Sequence, residues 1–319
     1  MDTDLISLYD FSQAAARIHG YAYHTPVYPC FSEPSAWLKL ECFQPVRSFK
    51  IRGAANKILS LPRERLEKGV VTASSGNHGL AVAYVAYKLG IKATIVLPET
   101  VVPEKLSMIK SLAATTILFG KQQDERQAKA NEICRTEGLE FVQPYNDLEI
   151  IAGQGTCGLE LIEDLPDLDM VFVPIGGGGL ISGVSSAIKL VNSGRHHVKI
   201  IGVQPEGSPS MYNSFSSKTL TTIAESKTVA DGLSVRKPGD ITFEFVKRFV
   251  DRIELVSDEE ILAATAQLIK KEHVLAEPSG AAAFAALLKA RRGKASDGRA
   301  AAIVSGGNIS SQVLAEIAK

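Results

Sequence analysis

Val171-Phe172-Val173-Pro174-Ile175, followed directly by Gly176-Gly177-Gly178-Gly179-Leu180, decides the fold class of this chain. The apolar run is a buried strand, and Leu180–Val191 beyond the glycines reads as a helix. Glycines at such a junction let backbone N–H groups approach a ligand closely, and the helix dipole favours a dianion there. The rival ligands of a glycine loop fail on spacing. A G-x-G-x-x-G run begun at Gly176 needs a glycine where Ile181 stands, and begun at Gly177 it meets Ser182. The acidic residue that would hold a ribose about 20 residues on is missing, since the next strand ends Gly202-Val203-Gln204. No G-x-x-x-x-G-K followed by Ser or Thr occurs. The loop therefore suits one phosphate better than a dinucleotide or a nucleoside triphosphate.

The same strand-to-helix grammar recurs outward from that loop. Candidate strands are Gly69–Ala73, Ala93–Leu97, Thr116–Phe119, Met170–Pro174, Lys199–Gln204 and Ala301–Ser305. Between them lie helical stretches such as Pro103–Leu112, Glu125–Glu137 and Leu180–Val191. Alternation of this kind predicts an α/β protein with parallel sheets covered by helices on both faces. Glu206–Ser217 and Arg292–Arg299, rich in Ser, Gly, Asn or charge, read as the most mobile loops.

Composition narrows the function. The 319 residues carry 35 basic and 35 acidic side chains, so no net field holds nucleic acid or an anionic membrane. No apolar run approaches a membrane span, and Met1-Asp2-Thr3-Asp4 is no signal peptide, which predicts a cytoplasmic protein. Cys30, Cys42, Cys134 and Cys157 lack any C-x-x-C spacing and read as small buried hydrophobes. His196-His197, beside Ser193-Gly194-Arg195, reads as a solvated loop and not as a metal pair.

Three further segments carry chemistry. In Ser48-Phe49-Lys50-Ile51-Arg52-Gly53-Ala54 a lysine stands among small and apolar residues, placed for close approach. A desolvated lysine suits imine formation, because its neutral amine is available to attack a carbonyl. Thr72-Ala73-Ser74-Ser75-Gly76-Asn77-His78-Gly79 breaks out of a strand before the helix-forming run from Leu80. Its hydroxyls and free N–H groups at a helix start fit a carboxylate, although ordinary N-capping explains the same residues. Ala302-Ile303-Val304-Ser305-Gly306-Gly307-Asn308 is a third strand running into a glycine turn, with Ser305 placed to reach a bound ring.

In order, spacing and wording these segments resemble the pyridoxal-phosphate enzymes of fold type II, in particular the serine/threonine dehydratase and serine racemase branch. Pro144-Tyr145-Asn146-Asp147, Ile151-Ala152-Gly153-Gln154-Gly155-Thr156, Val229-Ala230-Asp231-Gly232 and Glu277-Pro278-Ser279-Gly280 agree with it, so the likeness runs from about Thr25 to the C-terminus. The resemblance implies the tryptophan synthase β-like fold: two open parallel-sheet domains with pyridoxal 5'-phosphate in the cleft. Residues 68–146 would form the small domain, and 1–67 with 147–319 the large one. It implies that Lys50 forms the resting imine with the cofactor and serves as general base. Phe49 and Gly232 would lie beside the cofactor, Asn77 would bond its phenolic oxygen, Gly176, Gly177, Gly178 and Gly179 its phosphate, and Ser305 its pyridine nitrogen. Ser74, Ser75, Asn77 and His78 would cradle the substrate carboxylate. The implied reaction is β-elimination from a small amino acid, L-threonine or L-serine, to a 2-oxo acid and ammonia, in a homodimer. Ser75 stands where the racemases of this branch place a second base, which makes racemisation the nearest alternative. Dehydration of another β-hydroxy amino acid, such as 3-hydroxyaspartate or phenylserine, would change only the side-chain pocket.

Two departures from the family pattern stand out. Val46-Arg47 occupies the place of a usual Thr-Gly, which puts an arginine beside the catalytic turn, either solvated or selecting an acidic substrate. After Gly202-Val203, Gln204-Pro205-Glu206 lacks the carboxylate pair with which the racemases bind a divalent ion, so no metal is expected there. Arg126 falls near a family arginine at the site's mouth but reads as part of a solvated helix face. The end at Lys319 resembles the short catabolic dehydratases without a regulatory domain.

Overall fold

The computed structural model describes residues 6–74, 76–101, 103–120, 123–194, 196–292 and 298–318. Ten strands are found among them: β1 (Val27–Pro29), β2 (Ala36–Lys39), β3 (Val70–Ala73), β4 (Ala93–Leu97), β5 (Thr115–Leu118), β6 (Glu140–Phe141), β7 (Met170–Pro174), β8 (Lys199–Pro205), β9 (Arg252–Val256) and β10 (Ala300–Ile303). They form two sheets. One runs β1-β2-β10-β7-β8-β9, and the other runs β5-β4-β3-β6. Every pairing is parallel except β1 with β2.

Each sheet is covered on both faces, as parallel sheets require. The six-stranded sheet packs the helices Asp258–Lys270 and Pro278–Arg291 on one side. On the other lie Leu148–Asp164, Gly179–Val191 and Asp240–Phe249. The alanine-rich Pro278–Arg291 helix comes close over β7, β8 and β10 because its side chains are small. The four-stranded sheet carries Lys50–Leu59 and Asn77–Leu89 on one face and Gln123–Glu137 on the other. Its edge strand β5 is half exposed, whereas the central β3 and β4 are buried throughout.

The six strands read from the sequence are all present, within a residue or two of the expected ends. Short β1, β2, β6 and β9 escaped notice because two to five residues give no period. Two expectations are corrected. Glu206–Ser217 is not a loop throughout, since Ser210–Ser217 is a helix with Ser210, Met211 and Ser214 buried. Its buried serines are satisfied by backbone carbonyls, Ser214 Oγ on Ser210 O at 2.7 Å and Ser210 Oγ on Val235 O at 2.7 Å, so their polarity does not mean solvation. Arg126 is buried at 6 % exposure, because it shares one helix face with Ala130 and Ile133 against the sheet. Residues 293–297 of the second expected loop lie outside the described residues. Cys30, Cys42 and Cys157 are buried and Cys134 is half-buried. No described helix is long and apolar enough to cross a membrane.

Candidate active site

The carboxyl ends of β3, β7 and β10 all turn into the same region, each through one of the segments singled out above. Lys50 opens the helix Lys50–Leu59, Asn77 opens Asn77–Leu89, and Gly179 opens Gly179–Val191. Ser305 lies just past β10, and its carbonyl accepts the N–H of Phe49 at 3.1 Å. That bond and the Ser48–Gly306 bridge tie the lysine turn to the six-stranded sheet. An open α/β sheet binds ligands at this edge.

Lys50 Nζ donates to the carbonyl of Pro144 at 2.8 Å and lies 5.2 Å from the centre of the Phe49 ring. No described carboxylate pairs with it, so burial alone acts on its charge and pulls the ammonium down to about 8. Ser48 Oγ, two residues before, is buried without a hydrogen-bond partner among the described residues.

The glycine loop is shaped for an anion. Among the described residues none accepts from the backbone N–H of Gly176, Gly177 or Gly178, although the last two are buried. Gly178 adopts φ +100°, which a side chain would resist, and a Cβ on Gly177 would overlap the Tyr145 ring. Buried donors without acceptors are costly unless a ligand uses them. The free donors and the half-buried, uncompensated lysine fit pyridoxal phosphate, which brings one phosphate and one aldehyde.

Asn77 is held at both ends of its amide. Its Nδ2 donates to Glu277 Oε1 at 2.5 Å, and its Oδ1 accepts from Asn308 Nδ2 at 2.7 Å. Gly232 donates its N–H to Ser279 Oγ at 2.9 Å, and Ser305 Oγ reaches the Ser279 carbonyl at 3.4 Å. Glu277 is buried, and burial first, then the charge of Asp231, pushes its carboxyl up to about 7.

Ser74 Oγ accepts from Gly76 N at 3.4 Å beside the start of the Asn77 helix. Ser75 lies outside the described residues. His78 is buried with Nε2 3.0 Å from the Val142 carbonyl, and burial followed by the Lys50 charge pulls it down to about 3. Its ring is therefore neutral, and what it can offer a carboxylate is its main-chain N–H at the helix start. Arg47 is exposed and holds φ +58°. Gln204 is buried, bonding Ile175 O and the N–H of Tyr212. No group of three or more His, Cys, Asp or Glu suited to a metal occurs among the described residues.

The site thus gathers Lys50, Phe49, Asn77, the glycine loop, Gly232 and Ser305. Glu277, Asn308 and Tyr145 join them, although no local pattern in the sequence assigns these three a role. For Glu277 a signal existed, because a glutamate directly before a helix-opening proline is a poor cap, and here its side chain makes no cap bond.

Residues 20–306 match the family model described as pyridoxal-phosphate dependent enzyme. The chain is similar to L-threonine ammonia-lyase of Thermotoga maritima, 47 % identical over 86 % of this chain and 67 % of that protein. Among solved structures it is similar to maize serine racemase, with TM-score 0.92 and 35 % identity over 98 % of this chain and 96 % of that one. Threonine deaminase isoform 2 from Solanum lycopersicum, in its processed form, also superposes at TM-score 0.92, with 34 % identity over all of this chain and 88 % of that one.

Proposed function

Because the chain belongs to the pyridoxal-phosphate-dependent enzyme family, we propose that it removes water from L-threonine or L-serine and releases the 2-oxo acid and ammonia. The observation that supports the chemistry is Lys50, a half-buried amine that donates to the Pro144 carbonyl and has no carboxylate partner among the described residues. The likeness to an L-threonine ammonia-lyase supports the substrate.

When bound, pyridoxal phosphate supplies an aldehyde for an amine and a ring that takes up the electron pair left by a departing α-proton. Lys50 would hold the aldehyde carbon, the N–H groups of Gly176–Gly179 the phosphate, Asn77 Nδ2 the phenolic oxygen and Ser305 Oγ the pyridine nitrogen. Phe49 and Gly232 would lie beside the ring. With its ammonium at about 8, a sizeable fraction of Lys50 is neutral near pH 7.5 and able to take the α-proton. Ser305 offers a hydroxyl and not a carboxylate, so it would hold the pyridine nitrogen without protonating it fully, which would suit prompt loss of a β-hydroxyl. Ser74, Ser75 and the N–H groups of Asn77 and His78 would orient the substrate carboxylate. Residues 68–146 would move as a small domain against the flanks, closing the cleft and excluding water. We also infer a cytoplasmic homodimer.

A second reading is favoured by the likeness to maize serine racemase, with Ser75 as the base on the opposite ring face. The decisive experiment is 2-oxobutanoate release from L-threonine by purified, cofactor-loaded protein, with D-serine assayed after incubation with L-serine. Rapid release with little D-serine is expected. D-serine without oxo-acid would replace the first reading by the second, and neither product would remove both substrates.

A further inference from the structure

Glu277 occupies the N-cap of the helix Pro278–Arg291, yet its carboxyl makes no cap bond and turns into the site. It is 4 % exposed. Its one hydrogen-bond donor among the described residues is the Asn77 amide, at 2.5 Å. Gly306, next to Ser305, lies so close that a Cβ there would overlap Glu277 Oε1. The carboxyl is therefore wedged between Asn77 and the Ser305-Gly306 turn.

Asn308 completes the arrangement, donating Nδ2 to Asn77 Oδ1 at 2.7 Å and to the Val46 carbonyl at 2.9 Å. A donor at one end of the Asn77 amide and an acceptor at the other allow only one orientation. One Nδ2 proton goes to Glu277 and the other remains. Three charged or titratable groups from other elements act with Glu277. Asp231, in the turn Asp231–Leu233, opposes its ionisation, and Lys105, on the helix Pro103–Lys110, favours it. Those two pair with each other at 2.8 Å. The Cys42 thiol also feels the Glu277 charge.

We propose that Glu277 is the positioning residue for Asn77, its ionised carboxylate fixing the amide so that the remaining Nδ2 proton meets the cofactor's phenolic oxygen. The inference rests on the reading of Asn77 given above. An ionised acceptor holds an amide N–H more strongly than a neutral one. Protonation of Glu277 therefore loosens Asn77. Because burial pushes the carboxyl up to about 7, this ionisation falls within the working range.

The test uses cofactor-loaded wild type, Glu277→Gln, Glu277→Ala and Asn77→Ala. Absorbance of the Lys50-bound cofactor is followed across pH, together with kcat and KM for L-threonine. Glu277→Gln keeps an acceptor of the same shape without the charge, so it answers even where Glu277→Ala does not fold. In wild type the band should show an inflection near pH 7, lost in both Glu277→Gln and Asn77→Ala. In Glu277→Gln kcat should fall about tenfold, the effect of weakening one charged hydrogen bond, with KM changed less. A Glu277→Gln protein with the wild-type inflection and kcat overturns the proposal. An inflection that survives in Asn77→Ala also overturns it, because Glu277 would then act without Asn77. Borohydride reduction separates this failure from a deeper one. A wild type with no cofactor mass on Lys50 would overturn the underlying reading as well.

Discussion

Lys50 and Arg52 stand two residues apart on one helix and meet opposite surroundings. Arg52 is fully buried and completely paired. It binds Glu41 at 2.7 and 2.8 Å, Glu160 at 2.6 and 2.7 Å, Thr156 Oγ1 at 3.0 Å and the Tyr23 carbonyl at 3.1 Å. Lys39, also buried, joins the cluster through Glu160 at 2.7 Å. Burial would pull the guanidinium down, but the charges of Glu41 and Glu160 outweigh it and hold it well above its ordinary range. Lys50 is half-buried and has no such partner, so burial alone acts on its charge and discourages it. The difference teaches how one helix can be both anchor and reagent. Charge balanced behind the site fixes the helix, and charge left unbalanced in front of it makes an amine that reacts.

The largest way to break this comparison is Lys50→Ala. Turnover should fall by about 10³-fold or more, since proton transfer by a positioned group alone contributes on that scale. The borohydride-sensitive yellow band should vanish with it. A variant that kept both band and turnover would leave the contrast between the two residues without functional meaning.

Next in size is Glu41→Gln, which strands Arg52 with one carboxylate fewer. Glu41 is held below the usual carboxylate range because the Arg52 charge and hydrogen bonds outweigh the cost of burial. Breaking a buried pair by removing one partner costs about 3 kcal/mol. Urea unfolding should register that loss, and a change below about 1 kcal/mol would show that the cluster is not the anchor.

A pH series on apo protein sharpens the other half. The folded-state pKa of Lys50 lies near 8, below the value near 10.5 of an unfolded lysine. Below pH 8 both states are protonated and the fold bears the full cost of a buried ammonium. Between 8 and 10.5 only the unfolded state keeps the proton, so stability rises with pH through that window, by at most about 1.4 kcal/mol per unit. Lys50→Met should lack that rise and be the more stable protein at pH 7. Parallel curves for the two proteins would mean that the amine is solvated and not dry.

What was legible in the sequence follows the same division. Asn77, Ser305 and the glycines follow the ends of strands, and Lys50 opens a helix after a tight turn, so local residue types mark each of these places. The cluster behind them could not. Arg52 meets Glu160 across 108 positions and Glu277 meets Asn77 across 200, and no local pattern announces such partners. Arg126 was misread for the converse reason, because a charged type suggested water while its spacing to Ala130 and Ile133 marked a buried face. The alternating strands and helices announced two-sided parallel sheets. Lys39 helped hide β2, since a fully buried lysine in Ala36–Lys39 does not read as core.

The smallest expected effect lies at Arg47, three residues before Lys50, where the family pattern has glycine. The backbone there holds φ +58°, stabilised by the Arg47 N–H on Gln44 O at 2.8 Å and by Gly307 N–H on the Arg47 carbonyl at 2.8 Å. A side chain in this left-handed conformation costs about 1 kcal/mol relative to glycine. The side chain is exposed, and none of its atoms makes a hydrogen bond or ion pair with a described residue. Arg47→Gly should therefore raise stability by about 1 kcal/mol, read as a higher urea midpoint at unchanged slope. If the guanidinium is only solvated, KM for L-threonine and for L-serine stays within twofold. A selective rise in KM for 3-hydroxyaspartate would instead assign Arg47 to an acidic substrate, and would extend the unbalanced charge in front of the helix by one more residue.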